Sequence, residues 1–215
     1  MDTYDYVIVG SGSAGCVLAA RLSEDPDVSV CLLEAGGSDR SLGVKIPAAF
    51  PKLFKTQRDW EYYSDPEPGL DGRRLFMPRG KTLGGSSSIN AMLFVRGNSA
   101  DFDGWSKAGA EGWSYDEVLP YFRKMENFSR GATEYRGVDG PLHVTDHRSR
   151  TNVTEQILAA AQSTGLAFND DYNAAHQEGV SYFQITQKGG SRWSAADAWL
   201  KPARKRANLT VLTGA

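Results

Sequence analysis

The chain has 215 residues, with 24 basic and 26 acidic side chains and a formal charge of −2. It is long enough to bury a core, and its charge gives nucleic acid no electrostatic reason to bind. Its two cysteines, Cys16 and Cys31, have no histidine or cysteine at ligand spacing, which argues against a metal or redox centre and leaves two small buried thiols. Residues 6–20 are uncharged, but three glycines interrupt them and the segment before is acidic, unlike a secretory leader. No apolar run approaches the roughly twenty residues that span a bilayer. A cytoplasmic protein without a transmembrane segment is expected, with peripheral membrane association left open.

In chain order, residues 4–9 read as a strand, residues 13–23 as a helix and residues 28–33 as a second strand. This is the opening βαβ unit of a doubly wound sheet. Gly10-Ser11-Gly12-Ser13-Ala14-Gly15 joins the first strand to the helix. Gly10 permits the tight turn, Gly12 lets backbone approach a pyrophosphate, and Gly15 lets the helix close on the strand. The free N–H groups of the helix start then point at the phosphates. Glu34, nineteen residues past Gly15 and followed by Ala35, can accept hydrogen bonds from ribose hydroxyls, and its charge would repel a 2′-phosphate. The pattern is that of a dinucleotide site and does not by itself separate NAD from FAD.

Residues 38–79 are long, irregular and rich in proline and aromatics, as functional loops are. A second glycine-rich run follows, Gly80-Lys81-Thr82-Leu83-Gly84-Gly85-Ser86-Ser87-Ser88-Ile89-Asn90. Asp101 is expected to cap a helix over residues 102–108. Ser114 and Glu117 form a capping box, and Pro120 is expected to open a second short helix. Residues 140–144 read as a strand entering a second domain. Asn152 and Glu155 cap a helix that runs to Gly165, residues 180–187 alternate like a strand, and Ser194 starts another helix. The basic run at 201–206 reads as a solvated helix end complementing the helix dipole, rather than a membrane or nucleic-acid patch. Residues 209–213 read as a final strand.

Residues 80–103, GKTLGGSSSINAMLFVRGNSADFD, resemble the first signature of the glucose–methanol–choline (GMC) oxidoreductases, through Gly80, Lys81, Leu83, Gly84, Gly85, Ser86, Ser87, Ile89, Asn90, Phe94, Gly97 and Asp103. The segments at 32–37, 65–68, 113–115, 119–122, 140–144 and 208–211 resemble the choline-dehydrogenase-like branch of that family. The resemblance implies an α/β chain (α+β overall). A doubly wound, Rossmann-like FAD-binding domain would span residues 1–138 and 190–215, and residues 139–189 would begin a substrate-binding domain, both incomplete. The implied cofactor is FAD, bound non-covalently, because the position before the signature asparagine is Ile89 rather than a histidine. Gly84, Gly85, Ser86, Asn90, Ala91, Met92 and Leu93 would wrap the flavin and pyrophosphate, beside Gly10 to Gly15, Glu34 and Ala35. Asn90 offers both donor and acceptor, a turn-holding asparagine being the plainer alternative. Trp60 either packs near the flavin or is a buried structural tryptophan.

The activity implied is oxidation of a small primary alcohol, choline-like or other, to an aldehyde. Hydride passes to flavin N5 and the hydroxyl proton to a base; oxygen or a quinone-linked electron-transfer chain is the acceptor. The family's base is a histidine in a carboxy-terminal segment. None of His143, His147 and His176 matches it, so no catalytic residue is assigned and the chain reads as truncated. Hydroxynitrile lyase and light-driven decarboxylase chemistries occur on the same fold, and a catalytically silent flavin-binding fragment is a third reading.

Overall fold

A computed structural model describes residues 3–215. The chain forms two compact units, one of residues 1–92 and 187–215, the other of residues 93–186. Packing thus groups residues 93–138 with the second unit, whereas the sequence reading assigned them to the first.

In the first unit, β1 (Tyr6–Val9) leads through the first glycine motif into α1 (Ser13–Leu22) and back to β2 (Val30–Glu34). These pair in parallel, Tyr6 opposite Val30 and Val9 opposite Leu33. The run Val30-Cys31-Leu32 is buried, as a parallel strand covered on both faces requires. The α1 face turned inward carries Gly15, Cys16, Ala19 and Ala20. Small side chains let the helix approach closely, and a Cβ at Gly15 would stand 1.9 Å from the Gly10 carbonyl oxygen.

The long segment after β2 holds more regular structure than its composition suggests. It contains α2 (Leu42–Lys45), a 3-10 turn at Pro47–Leu53, and a two-stranded ribbon of β3 (Tyr62–Tyr63) and β4 (Phe76–Met77). Val44, Leu53 and Ile89 form its small core, with Phe54 against them.

The second unit begins with α3 (Ser99–Lys107) and α4 (Tyr115–Met125). Asn98, not Asp101, caps α3. Its Oδ1 accepts from Ala100 N at 2.9 Å, while Asp101 reaches back to Asn98 N as the other half of a capping box. Ser114 and Glu117 form the expected box on α4. Pro120 does not start a new helix there but sits inside one continuous helix. The ring removes only the N–H that would reach Asp116, and no residue of this helix is buried, so local adjustment toward solvent is unobstructed.

β5 (Glu126–Phe128) then pairs in parallel with β6 (Leu142–Asp146), α5 spans Asn152–Ser163, and β7 (Gln184–Ile185) pairs antiparallel with β6. The cap of α5 is Thr151, whose hydroxyl accepts from Thr154 N, one residue earlier than expected. The strand expected over 180–187 is broken. Val180 bridges Phe168, β7 pairs with β6, and Gln187–Lys188 (β8) turns at Gly189 and Gly190 to pair with Ser191–Arg192 (β9). One alternating pattern therefore serves three partners. Within this unit Glu126 is buried under two guanidiniums: Arg136 Nε lies 2.9 Å from its Oε1, and Arg96 bonds the same oxygen. A charge removed this far from water is tolerable only when paired and hydrogen-bonded in this way.

After β9 a π-helical turn at Ala196–Leu200 runs into α6 (Lys201–Ala203), and β10 (Leu209–Thr213) closes the first unit's sheet. β10 pairs in parallel with β2, Leu209 opposite Val30, so the sheet order is β1-β2-β10. The basic run at 201–206 is only partly a solvated helix end. Lys201 bonds the buried carboxylates of Asp39 and Asp197 at 2.7 and 2.6 Å, shared with Lys45, and Arg206 bonds Ser23 Oγ at 2.8 Å.

Candidate cofactor site

The two glycine-rich motifs are built into each other. Gly84 N donates to Ser11 O at 2.8 Å, and Leu83 N to Gly37 O at 3.0 Å. A Cβ on Gly85 would lie 2.7 Å from Gly12 Cα, and one on Gly36 would lie 2.0 Å from Lys81 O. Backbone of the second motif thus meets backbone of the first, some seventy residues away, and of the Gly36-Gly37 turn after β2, about 45 residues away, and at Gly85 and Gly36 the separations exclude a side chain. Gly10 and Gly84 also adopt φ near +90°, the left-handed region in which L side chains are strained.

Between the motifs opens a cleft of about 630 Å³. Of the residues expected to hold a cofactor, Gly10, Gly12, Ser13, Glu34, Ala35, Trp60, Gly85 and Ser86 line it. A Cβ on Gly12 would meet nothing within 4 Å, so the space before it is open. Gly12 supplies no side-chain cap to α1, and the first turn of α1 contains no acid. The opening N–H groups of the helix therefore lack a side-chain acceptor, which suits a phosphate.

Ser11, Ala14, Gly15 and Gly84 do not line the cleft; Ser11, Gly15 and Gly84 are buried behind it. Asn90, Ala91 and Met92 also lie off its lining, and Leu93 falls in the second unit. Glu34 has a second task that its spacing does not reveal. Its Oε2 accepts from Ser11 N at 2.9 Å and Ser11 Oγ at 2.7 Å, and its Oε1 from Gly36 N at 2.8 Å. One lone pair of Oε1 is left for a ligand hydroxyl.

Trp60 is 40% exposed, which answers the alternative of a buried structural tryptophan. Tyr62 stacks on it at 5.8 Å and 14°, and Lys81 Nζ stands 4.6 Å from its ring centre. Tyr62 and Arg79 also line the cleft, and the sequence reading did not assign either. The hub of this wall is Asp59, buried, with its carboxylate accepting from the backbone N–H groups of Lys55, Glu61 and Arg79 at 3.0–3.1 Å. Burial pushes the Asp59 pKa up, but these three bonds outweigh it and hold the group below the ordinary aspartate value. On the inward face of α1, burial pushes the Cys16 thiol up to about 12, which makes it inert.

The sequence profile described as GMC oxidoreductase matches residues 4–215. The chain belongs to the GMC oxidoreductase family. Oxygen-dependent choline dehydrogenase of Vibrio vulnificus is 48% identical over 98% of this GMC chain and 38% of its own length. The crystal structure of pyridoxine 4-oxidase from Mesorbium loti superposes with a TM-score of 0.94 at 40% identity, over 99% of this chain and 42% of the other. An FAD-dependent oxidoreductase from Chaetomium thermophilum gives 0.90 at 31% identity, over 98% and 38%. The GMC chain spans about two fifths of the length of the curated relatives it matches. Its histidines, His143, His147 and His176, all lie in the second unit. Among the described residues no helix is long and apolar enough to cross a membrane.

Proposed function

We propose that this chain carries the FAD-binding part of an oxidoreductase that dehydrogenates a small primary alcohol, choline-like or other. The observation that carries the reading is the cleft itself. Glycine backbone from two motifs forms its walls, an uncapped helix start faces it, and a buried carboxylate stands beside Ala35. Gly10, Gly12 and Ser13 would hold the pyrophosphate, Glu34 and Ala35 the ribose, and Gly85 and Ser86 the opposite side of the dinucleotide. When bound, FAD supplies a hydride acceptor. The chain's residues bind and orient it, and their charge distribution favours one redox form over another. Ile89 lies 1% exposed in the apolar cluster with Val44 and Leu53 and has no nucleophile to offer, which supports non-covalent attachment. Among the described residues no histidine lines the cleft, and no proton-accepting base is assigned.

The test is titration of the purified protein with FAD, followed by quenching of flavin fluorescence, with NAD as the comparison ligand. Saturable FAD binding is expected, and acid precipitation should leave all yellow colour in the supernatant. Preference for NAD would refute the cofactor assignment, and colour retained in the pellet would refute the non-covalent mode. Anaerobic bleaching of the flavin by primary alcohols, measured in a polypeptide of the relatives' full length, tests the reaction.

A further inference from the structure

Arg192, in β9, is 1% exposed, and among the described residues no carboxylate lies within ion-pair distance of it. Asp197, whose charge favours the cation, is already bonded by Lys45, Lys201 and Ser194. Burial lowers the guanidinium's pKa to about 10, which leaves it charged at neutral pH. A cation kept in such a setting needs a reason, since burial of a charge without a direct counterion is costly.

Its bonds indicate one. Nε donates to Val44 O at 2.9 Å, and Nη1 donates to Ser87 O at 3.1 Å and to Asn90 Oδ1 at 2.9 Å. Asn90 Oδ1 also accepts from Met92 N at 3.0 Å, and Met92 sits at φ +64°. Two donors converging on one atom determine which end of this amide is oxygen. The Asn90 side chain is otherwise exposed, so its Nδ2 group is left with two N–H donors directed away from Arg192.

We infer that Arg192 is a positioning residue, which holds the Asn90 amide, one turn past the cleft-lining Ser86, with its NH₂ turned outward to donate to acceptor atoms of the flavin nucleotide where it extends beyond that lining. The inference rests on the FAD reading above. With the guanidinium gone, only the Met92 N–H opposes rotation of the amide, and the donor face is no longer held.

A double-mutant cycle on FAD affinity tests it, using Asn90→Ala, Arg192→Met and the pair in the full chain, with far-UV circular dichroism of each apo form as the check on folding. Asn90→Ala is expected to weaken FAD binding about tenfold, Arg192→Met by a similar factor, and the pair by no more than the worse single change. Both single variants should shift the absorption band of bound flavin in the same direction, a response that loss of packing alone does not produce. Arg192→Lys provides a second cycle if the methionine variant does not fold. Lysine keeps the charge but lacks the planar fork that reaches Val44 and Asn90 together, so its loss of affinity should also vanish in the Asn90→Ala background. Multiplied losses in the cycle, or wild-type affinity in Asn90→Ala, would overturn the inference. Failure of the wild-type chain to bind FAD would instead refute the cofactor reading on which it rests.

Discussion

Substituting alanine at two glycines of the same motif should give opposite phenotypes. At Gly15 the new methyl would stand 1.9 Å from Gly10 O and 3.1 Å from Gly10 C. Ordinary contact requires well over 3 Å, so α1 must withdraw from β1 by more than 1 Å. Overpacking of this kind costs about 1–3 kcal/mol, against a helix-propensity gain of about 1 kcal/mol at most. The clash is with backbone and cannot rotate away, so the upper half of that range applies and a net loss of about 1–2 kcal/mol is expected, or roughly 2–8 °C of melting temperature for a chain of this size. At Gly12 the methyl meets nothing within 4 Å, and φ is −71°. The only structural cost is the poorer N-cap, about 1 kcal/mol or less, while the methyl projects into the space open to the pyrophosphate. Gly12→Ala should therefore melt within about 2–4 °C of wild type as the apoprotein and bind FAD at least tenfold more weakly. Apo melting curves and FAD titrations of the two variants provide the test. A Gly15→Ala melt equal to wild type, or undiminished FAD binding by Gly12→Ala, would refute the division of labour between these glycines.

Asp59→Ala removes the acceptor for three backbone N–H groups and should loosen the wall that carries Trp60; faster tryptic cleavage at Lys55 and Arg58 is the readout, with about 2 kcal/mol of local stability lost. The cluster of Asp39, Asp197, Lys45 and Lys201 should limit stability at both ends of the pH scale. Burial opposes the charge on Asp197, yet the lysine and serine bonds hold its pKa below the usual value, so its contribution is present above about pH 4 and is lost as pH falls through the depressed folded value. Lys201 runs the other way: burial pulls it down, the bonds to Asp197 and Asp39 hold it raised, and its contribution fades as pH rises through the folded value. Asp197→Asn should flatten the acid limb of a melting-temperature profile, and an unchanged limb would assign it to other carboxylates. Cys16 and Cys31 are both buried, so neither should react with iodoacetamide at pH 8 in the native chain, whereas both should react in denaturant, as counted by mass spectrometry.

The opening βαβ unit was legible because each of its parts has a local signature: an apolar strand, glycines at fixed offsets, and an acid closing the next strand. The same holds for β10, where Leu209 to Thr213 are read to the residue. Caps were legible less accurately. Asp101 and Asn152 carry the right chemistry, but Asn98 and Thr151 hold the cap positions, and an extra polar residue beside the start of a helix makes the register ambiguous. The contributions of Tyr62, Arg79 and Asp59 to the site left no sequence signal. Asp59 acts on backbone N–H groups up to twenty residues away, which are common to every residue type and follow no period. Likewise, only contact between distant segments reveals why Gly36, against Lys81, and Gly85, against Gly12, cannot carry side chains.

The order of the parallel sheet bears on how the chain acquires it during synthesis. β2 is the central strand, yet one of its two neighbours is β10, which begins 175 residues after Glu34. At translation rates of about 5–20 residues per second, β2 waits roughly 10–35 s between leaving the ribosome and meeting that neighbour. Throughout that interval Val30, Cys31 and Leu32 belong to a strand with one row of backbone groups unpaired, the kind of template on which nascent chains associate wrongly. A contact this distant in sequence also carries a large loop-closure entropy, which slows its formation. Yield of the soluble protein should therefore depend on chaperone capacity during translation more than on the equilibrium stability of the finished fold.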